Sequence, residues 1–230
     1  MRIAILNPNT TASMTQSVVQ AAQRSARADT HLRGVTALTG AAGIESPADE
    51  VQGAMALLQA VYALEGSADR PHAYVVACFG DTGLAGVRCA AAGPAVGMTE
   101  AALLVASLVA QRFAIITMPR RTLEQSARAV RQQGLEHRCS LRAIDEPVAA
   151  VTTGSLHLLQ AFVQEGRLAM EQDHAEAIVL GCAGLTDLVG PLQDALGVPV
   201  IEGVAAAVAM AESLLALRLN TSRAGTWRAV

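Results

Sequence analysis

Short runs of aliphatic and β-branched residues alternate along the chain with longer stretches rich in Ala and Leu. In the first third, this pattern predicts strands at 2–7, 32–38 and 73–79, and helices at 10–28 and 48–64. The first and third strands are largely apolar, which is typical of strands buried on both faces of a parallel sheet. The alternation therefore predicts an α/β fold with helices covering both faces of the sheet.

The second half of the chain repeats the first. Residues 2–6 match 112–116 at an offset of 110, residues 73–78 match 177–182 at 104, and residues 94–97 match 199–202 at 105. Three matches in the same order, at nearly constant offset, indicate a duplication. We predict two similar Rossmann-like α/β halves with parallel sheets, related by a pseudo-twofold axis, with the active site in the cleft between them.

The amino-acid composition argues against several classes of catalysis and of binding partner. The 17 basic residues are all arginine, which excludes a lysine Schiff base, as in pyridoxal phosphate enzymes, and a Walker-type phosphate loop. The five histidines form no close ligand pair, so we predict no metal site and no cofactor. With a net charge of −3 and scattered arginines, neither nucleic acid nor membrane is an expected partner. The apolar stretches are too short or too charged to span a bilayer, and a strand-like segment begins the chain where a signal peptide would lie, so we expect a cytoplasmic protein.

Two of the four cysteines occupy the same place in the repeat. Cys78 and Cys182 each follow a predicted strand and precede a Gly-containing turn, whereas Cys89 and Cys139 have no repeat partner and are expected only to pack. Ligands of parallel sheets bind at the carboxyl ends of the strands, so the two thiols should face one cleft from opposite sides. That arrangement suits a two-base proton transfer, in which one thiolate removes a proton and the opposite thiol returns one. We expect nearby helix N-termini to lower both thiol pKa values towards neutrality, and the exposed N–H groups there to steady a developing enolate.

Motifs around these cysteines resemble those of the hydantoin racemase group of the aspartate/glutamate/hydantoin racemase superfamily, which includes allantoin racemase. The similarity covers nearly the whole chain. Its motifs are Asn7-Pro8-Asn9-Thr10-Thr11 with Met14-Thr15, Ala77-Cys78-Phe79-Gly80-Asp81-Thr82-Gly83-Leu84, Val179-Leu180-Gly181-Cys182-Ala183-Gly184-Leu185, the segment 199–208 and the tail 219–223.

The resemblance implies roles for individual residues. Cys78 and Cys182 would be the catalytic acid and base of a cofactor-independent racemase acting on 5-substituted hydantoins or allantoin. The substrate-binding residues would come from both halves: Asn7, Pro8, Asn9, Phe79, Gly80, Thr117, Ala183 and Gly184. The last helix of the family returns to the first half, which gives an N-terminal domain of 1–98 plus 208–230 and a second domain of 99–207. A homo-oligomer, at least a dimer, is also expected.

Alternatives remain open at this point. The chain departs from the family pattern at Thr82, where Pro is common, and at Arg88-Cys89, where Arg-Glu is common, which weakens the assignment of an exact substrate. An aspartate- or glutamate-type racemase, or a related decarboxylase, would share the fold. Decarboxylation needs only one cysteine, and an acidic substrate needs a carboxylate-binding group that we do not identify. A two-lobed binder without catalysis would have no need of symmetric thiols, and a thiol hydrolase would need a Cys–His pair.

Other polar residues receive structural interpretations. Asp81 and Asp187 are expected to be charges at helix ends rather than catalytic acids. His72 and His174 precede strands, at the edge of the sheet opposite the cleft, and are expected to face solvent. Glu45 lies in a loop that we expect to close over the cleft.

Overall fold

The computed structural model describes residues 1–151 and 155–228. Eight strands form two four-stranded parallel sheets, with orders β2-β1-β3-β4 and β6-β5-β7-β8. The first sheet consists of β1 Arg2–Asn7, β2 His31–Thr36, β3 Ala73–Val76 and β4 Ala95–Gly97. The second consists of β5 Phe113–Thr117, β6 Cys139–Ala143, β7 Ala177–Leu180 and β8 Val200–Ile201.

In the part of the chain that the structure describes, eight α-helices cover the sheets. They are α1 Ala12–Ser25, α2 Pro47–Glu65, α3 Leu84–Ala90, α4 Met98–Val109, α5 Leu123–Gln132, α6 Leu156–Gln172, α7 Val189–Leu196 and α8 Gly203–Ala216. Short 3-10 turns lie at Arg120–Thr122, Val148–Ala150 and Ala183–Leu188. Within the described ranges, no helix is long and apolar enough to cross a bilayer.

Strand register confirms the duplication. Ile3 of β1 pairs with Ala73 of β3, and their repeat counterparts Phe113 and Ala177 pair in the same way between β5 and β7. Both sheets also have the same strand order, with the first strand of each half at an inner position. The predicted α/β fold with two similar parallel sheets is therefore confirmed.

The helices α4 and α8 lie at the junction of the halves. Each follows the last strand of its own half, and the two pack against each other. Gly203, the first residue of α8, lies so close to Met98, the first residue of α4, that a Cβ would stand 2.4 Å from the Met98 carbonyl oxygen. Met98 and Gly203 are themselves repeat counterparts, so equivalent residues meet where a pseudo-twofold axis requires them to meet.

The apolar core follows from strand alternation. Ile3 and Ile5 of β1 face a central cluster shared by both halves, which includes Phe113, Ile115 and buried residues of α1, α4 and α8. The intervening Ala4 and Leu6 face α2 and α3 on the outer side of the first sheet. Because every strand residue of β1 after Arg2 is buried on one face or the other, the run is continuously apolar up to Asn7.

Several predicted boundaries differ from the structure. The second strand is predicted to reach residue 38 but ends at Thr36, and Leu38 is 97% exposed. The third is predicted to reach Phe79, but its pairing with β1 ends at Val76. The first helix begins at Ala12 rather than at Thr10.

The domain division stays a prediction, although its second boundary needs comment. A boundary between residues 207 and 208 would cut the continuous helix α8, which packs on α1, β3 and β4 of the first half. The tail continues onto the same half, where Asn220 Nδ2 donates to the Ala92 carbonyl at 2.6 Å. Residues 229–230 of the predicted first domain and 152–154 of the predicted second domain lie outside the described residues.

Candidate active site

Cys78 and Cys182 line one cavity between the two sheets. Each lies two residues beyond the end of its strand, β3 or β7, so each sulfur stands at the carboxyl edge of its own sheet. The cavity is small, with a volume of about 40 Å³. Its lining residues are Asn9, Met14, Ile44, Ala77, Cys78, Phe79, Thr117, Pro119, Thr122, Gln125, Ser126, Val148, Gly181, Cys182 and Ala183.

The two thiols have different hydrogen-bond partners. Cys78 Sγ lies 3.5 Å from Thr82 Oγ1 and 3.6 Å from the Phe79 carbonyl oxygen, to which it donates. For Cys182, the nearby Gly184 N–H is the donor that acts on the sulfur. A hydrogen bond from a donor stabilises the charged thiolate, so Thr82 and Gly184 each lower the pKa of the thiol that they contact.

Burial outweighs these donors at both sites. Desolvation is the main cause that raises the pKa of Cys78 to about 12, with smaller contributions from the neighbouring Cys182, Asp81 and Glu50. Desolvation likewise raises the pKa of Cys182 to about 11, with Glu202 and Glu45 adding to the rise. The expectation that helix N-termini bring both thiols towards neutrality is therefore wrong.

The physical reason lies in the local structure after each cysteine. The helix α3 does not begin until Leu84, six residues after Cys78, and Cys182 precedes only a 3-10 turn. Neither cysteine is followed directly by a long helix, so no helix dipole of its own segment opposes the loss of water.

The cavity wall is uncharged. None of the described residues that line it carries a charge at neutral pH except through ionisation of the two thiols themselves. The charges that act on the thiols from nearby are the carboxylates Glu45, Glu50, Asp81 and Glu202. Such a site offers no ion-pair partner to a substrate carboxylate, and its surroundings disfavour a negative ligand.

Four of the eight residues predicted to bind substrate line the cavity: Asn9, Phe79, Thr117 and Ala183. Thr117 ends β5 as Asn7 ends β1, which agrees with their pairing in the repeat.

Asn7 and Pro8 are buried but are not among the described lining residues. The Asn7 side chain is used within its own loop, where Nδ2 donates to Asn9 Oδ1 and to Thr15 Oγ1, both at 2.9 Å. Its Oδ1 accepts from the Asn9 N–H at 3.1 Å. In this structure, Asn7 thus positions Asn9 rather than facing the cavity.

The glycines Gly80 and Gly184 also lie behind the wall. The Gly80 N–H donates to Thr99 Oγ1 at 2.7 Å, so it is not available for a substrate carbonyl. Gly80 has a φ of +93°, and a Cβ there would lie 2.4 Å from Gln125 Nε2. Glycine is therefore favoured at Gly80 by its left-handed backbone conformation.

Asp81 lies at a helix end, as expected, but the helix is α4 rather than α3, which follows it in the chain. Its two carboxylate oxygens accept from the N–H groups of Thr99 and Glu100 in the first turn of α4, at 2.8 and 2.9 Å. Desolvation raises the pKa of Asp81 to about 7. Asp187, the other residue of this kind, forms an exposed ion pair with Arg24 at 3.6 Å.

Two contacts join the halves beside the cavity. Glu45 Oε1 accepts from the Val148 N–H at 2.8 Å, which brings the loop before α2 across the cleft. The Glu50 carboxylate accepts two hydrogen bonds from Arg128 Nη2, at 2.7 and 2.8 Å. The loop containing Glu45 does close over the cleft, as the sequence predicts.

Several residues that line the cavity were not predicted from the sequence to bind substrate: Met14, Ile44, Ala77, Pro119, Thr122, Gln125, Ser126, Val148 and Gly181. The repeat would have found Pro119, because an offset of 110 residues places it on Asn9. Thr122, Gln125 and Ser126 come from the start of α5 and the turn before it, where no motif distinguishes them from ordinary helix residues.

The remaining candidates lie away from the cavity wall. Cys89 Sγ approaches the Thr226 carbonyl oxygen in the tail, and Cys139 lies in β6, where burial raises its pKa to about 12. His72 is exposed and its Nδ1 accepts from the Arg2 N–H; His174 is also exposed. Within residues 1–151 and 155–228, no group of three or more His, Cys, Asp or Glu side chains is placed to hold a metal ion.

Together, the fold and the cavity define a two-lobed α/β enzyme with a thiol from each lobe at a small interlobe site. Comparisons with known proteins narrow this class. The family model described as Asp/Glu/Hydantoin racemase matches residues 3–211. A hydantoin racemase of Rhizobium meliloti is 40% identical over 99% of this chain and 94% of its own length.

A second relative and a solved structure are also racemases. A hydantoin racemase of Paenarthrobacter aurescens is 38% identical over 99% of this chain and 97% of its own length. The structure of an allantoin racemase from Klebsiella pneumoniae matches with a TM-score of 0.95 and 38% identity, covering 100% of this chain and 94% of that one. The chain belongs to the Asp/Glu/hydantoin racemase family and is an isomerase of the racemase type.

Proposed function

We propose that the protein racemises 5-substituted hydantoins, or allantoin, by two-base proton transfer between Cys78 and Cys182. The observation that carries this proposal is that one thiol from each half lines the same small, uncharged cavity. Racemisation requires proton removal from one face of a carbon and proton delivery to the other, and two groups on opposite walls supply both.

The proposed reaction balances without a cofactor. One cysteine, as thiolate, takes the proton from the ring carbon, and the bonding electron pair moves into the adjacent carbonyl to give an enolate. The other cysteine, as thiol, delivers its proton to the opposite face of that carbon while the carbonyl re-forms. The first sulfur ends as thiol and the second as thiolate, so the enzyme is then set for the reverse enantiomer.

The uncharged wall favours a neutral ring over an amino acid. Aspartate or glutamate would bring carboxylates into a cavity without a cationic lining residue, close to Glu45, Glu50 and Glu202. A hydantoin or allantoin ring presents carbonyl and N–H groups, which uncharged side chains can satisfy. The substrates named for the relatives at 35–40% identity support the same choice.

Both thiols have a raised pKa, because both are buried. A thiolate with a raised pKa is a strong base, which suits proton removal from carbon, at the cost of a small thiolate population.

Location and assembly complete the proposal. We expect a cytoplasmic protein, since all four cysteines are free thiols, the state that a reducing compartment maintains. We also expect a homo-oligomer, because α2 exposes a stripe of apolar side chains, Val51, Met55 and Tyr62.

Deuterium exchange tests the mechanism. A single enantiomer of a 5-substituted hydantoin, incubated with the protein in D₂O without added metal or cofactor, should become a racemate labelled at the reacting carbon. Chiral chromatography with mass detection follows both events. The variants Cys78→Ser and Cys182→Ser should each abolish interconversion, because serine is far too weak an acid to replace a thiol.

The matched control is Cys89→Ser, a cysteine outside the cavity wall, which should racemise at the unchanged rate. If either Cys78→Ser or Cys182→Ser retains a near-normal rate, the two-base mechanism is refuted. Parallel assays with allantoin, aspartate and glutamate identify the substrate, and turnover of an acidic amino acid in preference to both rings would refute the neutral-ring assignment.

A further inference from the structure

Gln125 presents a buried hydrogen-bond donor in the cavity wall. It lies in the first turn of α5, and its side chain crosses from the second half to pack on Gly80, next to Cys78. Its Nε2 atom is shielded from solvent and has no hydrogen-bond partner within the described residues. A buried amide donor without an acceptor is costly, and such groups in native proteins call for an explanation.

The other polar side chains of the wall have partners within the protein. Thr117 and Thr122 share a hydrogen bond of 2.9 Å between their hydroxyls, and Ser126 Oγ donates to the Thr122 carbonyl at 3.2 Å. Asn9 Oδ1 accepts from Asn7, and its Nδ2 faces the Met14 sulfur at 3.4 Å.

Backbone donors nearby are also engaged. The Gly80 N–H donates to Thr99 Oγ1, and the Gly181 N–H donates to the Ile116 carbonyl at 2.9 Å. The Gln125 amide is therefore the lining side-chain donor that the described structure leaves for an incoming acceptor.

We propose that Gln125 is a specificity-determining residue whose Nε2–H donates to the substrate carbonyl oxygen adjacent to the reacting carbon. This inference rests on the proposed function and deepens it by assigning the group that recognises the ring. When the proton leaves the carbon, the electron pair moves onto that oxygen, so the hydrogen bond strengthens as the enolate forms. An uncharged donor matches a neutral cyclic amide and gives no ion pair to a carboxylate.

Two substitutions test this role. Gln125→Met keeps the length of the side chain and removes the donor, while Gln125→Glu keeps the shape and replaces the donor by a negative acceptor. Because the contact is strongest in the transition state, we expect Gln125→Met to lower kcat by about 100-fold with a smaller change in KM. Gln125→Glu should lose at least as much, since it places a second negative charge beside the enolate.

The control is Gln132→Met, an exposed residue at the other end of α5, which should leave kcat and thermal stability unchanged. Substrate affinity is measured separately by calorimetry in the Cys78→Ser/Cys182→Ser protein, with and without Gln125→Met, so that binding is read without turnover. Folding of each variant is checked by circular dichroism. Gln125→Glu provides the second test if Gln125→Met is poorly folded.

The outcomes separate the two proposals. If the unaltered chain racemises hydantoin but both Gln125 variants keep a near-normal kcat, the role of Gln125 is refuted and the two-thiol mechanism is untouched. A rise in KM with unchanged kcat would also overturn it, because the contact would then not strengthen in the transition state. If the unaltered chain exchanges no proton of a neutral ring, the proposed function itself fails, before any substitution at Gln125 is considered.

Discussion

The ionisation of the two cavity thiols offers a direct test of how the site balances burial against hydrogen bonding. Only the thiolate reacts with iodoacetamide, so the alkylation rate of each cysteine follows its thiolate fraction as pH rises. The perturbation is a series of pH values from 7 to 10 applied to the folded, substrate-free protein. Peptide mass spectrometry resolves the rate at Cys78 from that at Cys182.

The expected magnitude follows from the raised pKa values. At pH 8, a thiol with a pKa of about 11, as for Cys182, is a thiolate in about one molecule per thousand. For Cys78, with a pKa of about 12, the fraction is about one in ten thousand, against about one in ten at the ordinary value of 9.0. Both alkylation rates should therefore rise about tenfold per pH unit across the whole range without a plateau.

The control is the same protein unfolded in guanidinium, where both thiols should titrate close to the ordinary value. Restricted access to the cavity lowers the absolute rates in the folded protein but leaves their dependence on pH intact. A plateau of either cavity cysteine near pH 7 would refute the reasoning, since it would mean that Gly184 or Thr82 stabilises the thiolate more than burial destabilises it.

The linked effect on stability has a defined sign. Both thiols have a folded pKa above the unfolded value, so the folded state binds their protons more tightly. Their contribution to the free energy of unfolding is fully present below the unfolded pKa and declines as pH rises from there towards the folded values. The protein should thus lose stability between about pH 9 and 12, through Cys78 and Cys182 together.

Two further substitutions follow from contacts between the halves. Glu50→Gln removes a carboxylate that raises the pKa of Cys78, and it breaks the ion pair with Arg128. The alkylation curve of Cys78 should therefore move to lower pH while that of Cys182 stays in place. Equal movement of both curves would contradict this assignment. Gly203→Ala places a Cβ 2.4 Å from a backbone oxygen of α4 and should cost about 1–3 kcal/mol in urea unfolding. Gly190→Ala, where the added methyl meets nothing within 4 Å, is its control, and equal stability of the two variants would show that the helix junction is not tightly packed.

The sequence predicted the fold well because duplication and strand alternation are local, repeated signals. Equivalent apolar segments recur at offsets near 105, and the buried strands are apolar at successive positions. The ends of the strands were less predictable. Ala77 and Cys78 continue the apolar run of β3 but lie beyond its last ladder residue, since the end of a strand depends on which neighbour is available for pairing and not on hydropathy alone.

The site was predictable where it depends on the repeat and unpredictable where it depends on contacts between the halves. The pairing of Cys78 with Cys182 required only alignment of the chain with itself. Gln125 was missed because its importance arises from its approach to Gly80 across the cleft, which no local pattern records. Gly80 itself was assigned to substrate binding for its N–H, although that N–H is held by Thr99, nineteen residues further along the chain.

The most informative departure from symmetry concerns the acids that cap α4 and α8. Glu202 caps α8 from the residue directly before it, accepting from the Val204 and Ala205 N–H groups at 2.6 and 2.9 Å. Its repeat counterpart is Gly97, where a Cβ would lie within 2.3–2.5 Å of the Asp81 carboxylate.

In the second half, the capping carboxylate comes from Glu202, directly before α8. In the first half, the equivalent residue is Gly97, and the capping carboxylate comes from Asp81 instead. Asp81 lies three residues after Cys78, so hydrogen bonds of Asp81 and Thr99 join the loop of that cysteine to α4. The equivalent residue after Cys182 is Leu185, whose apolar side chain cannot cap a helix, and Glu202 caps α8 instead. The duplication therefore places two thiols equivalently, while the exchange of capping acids gives each a different environment.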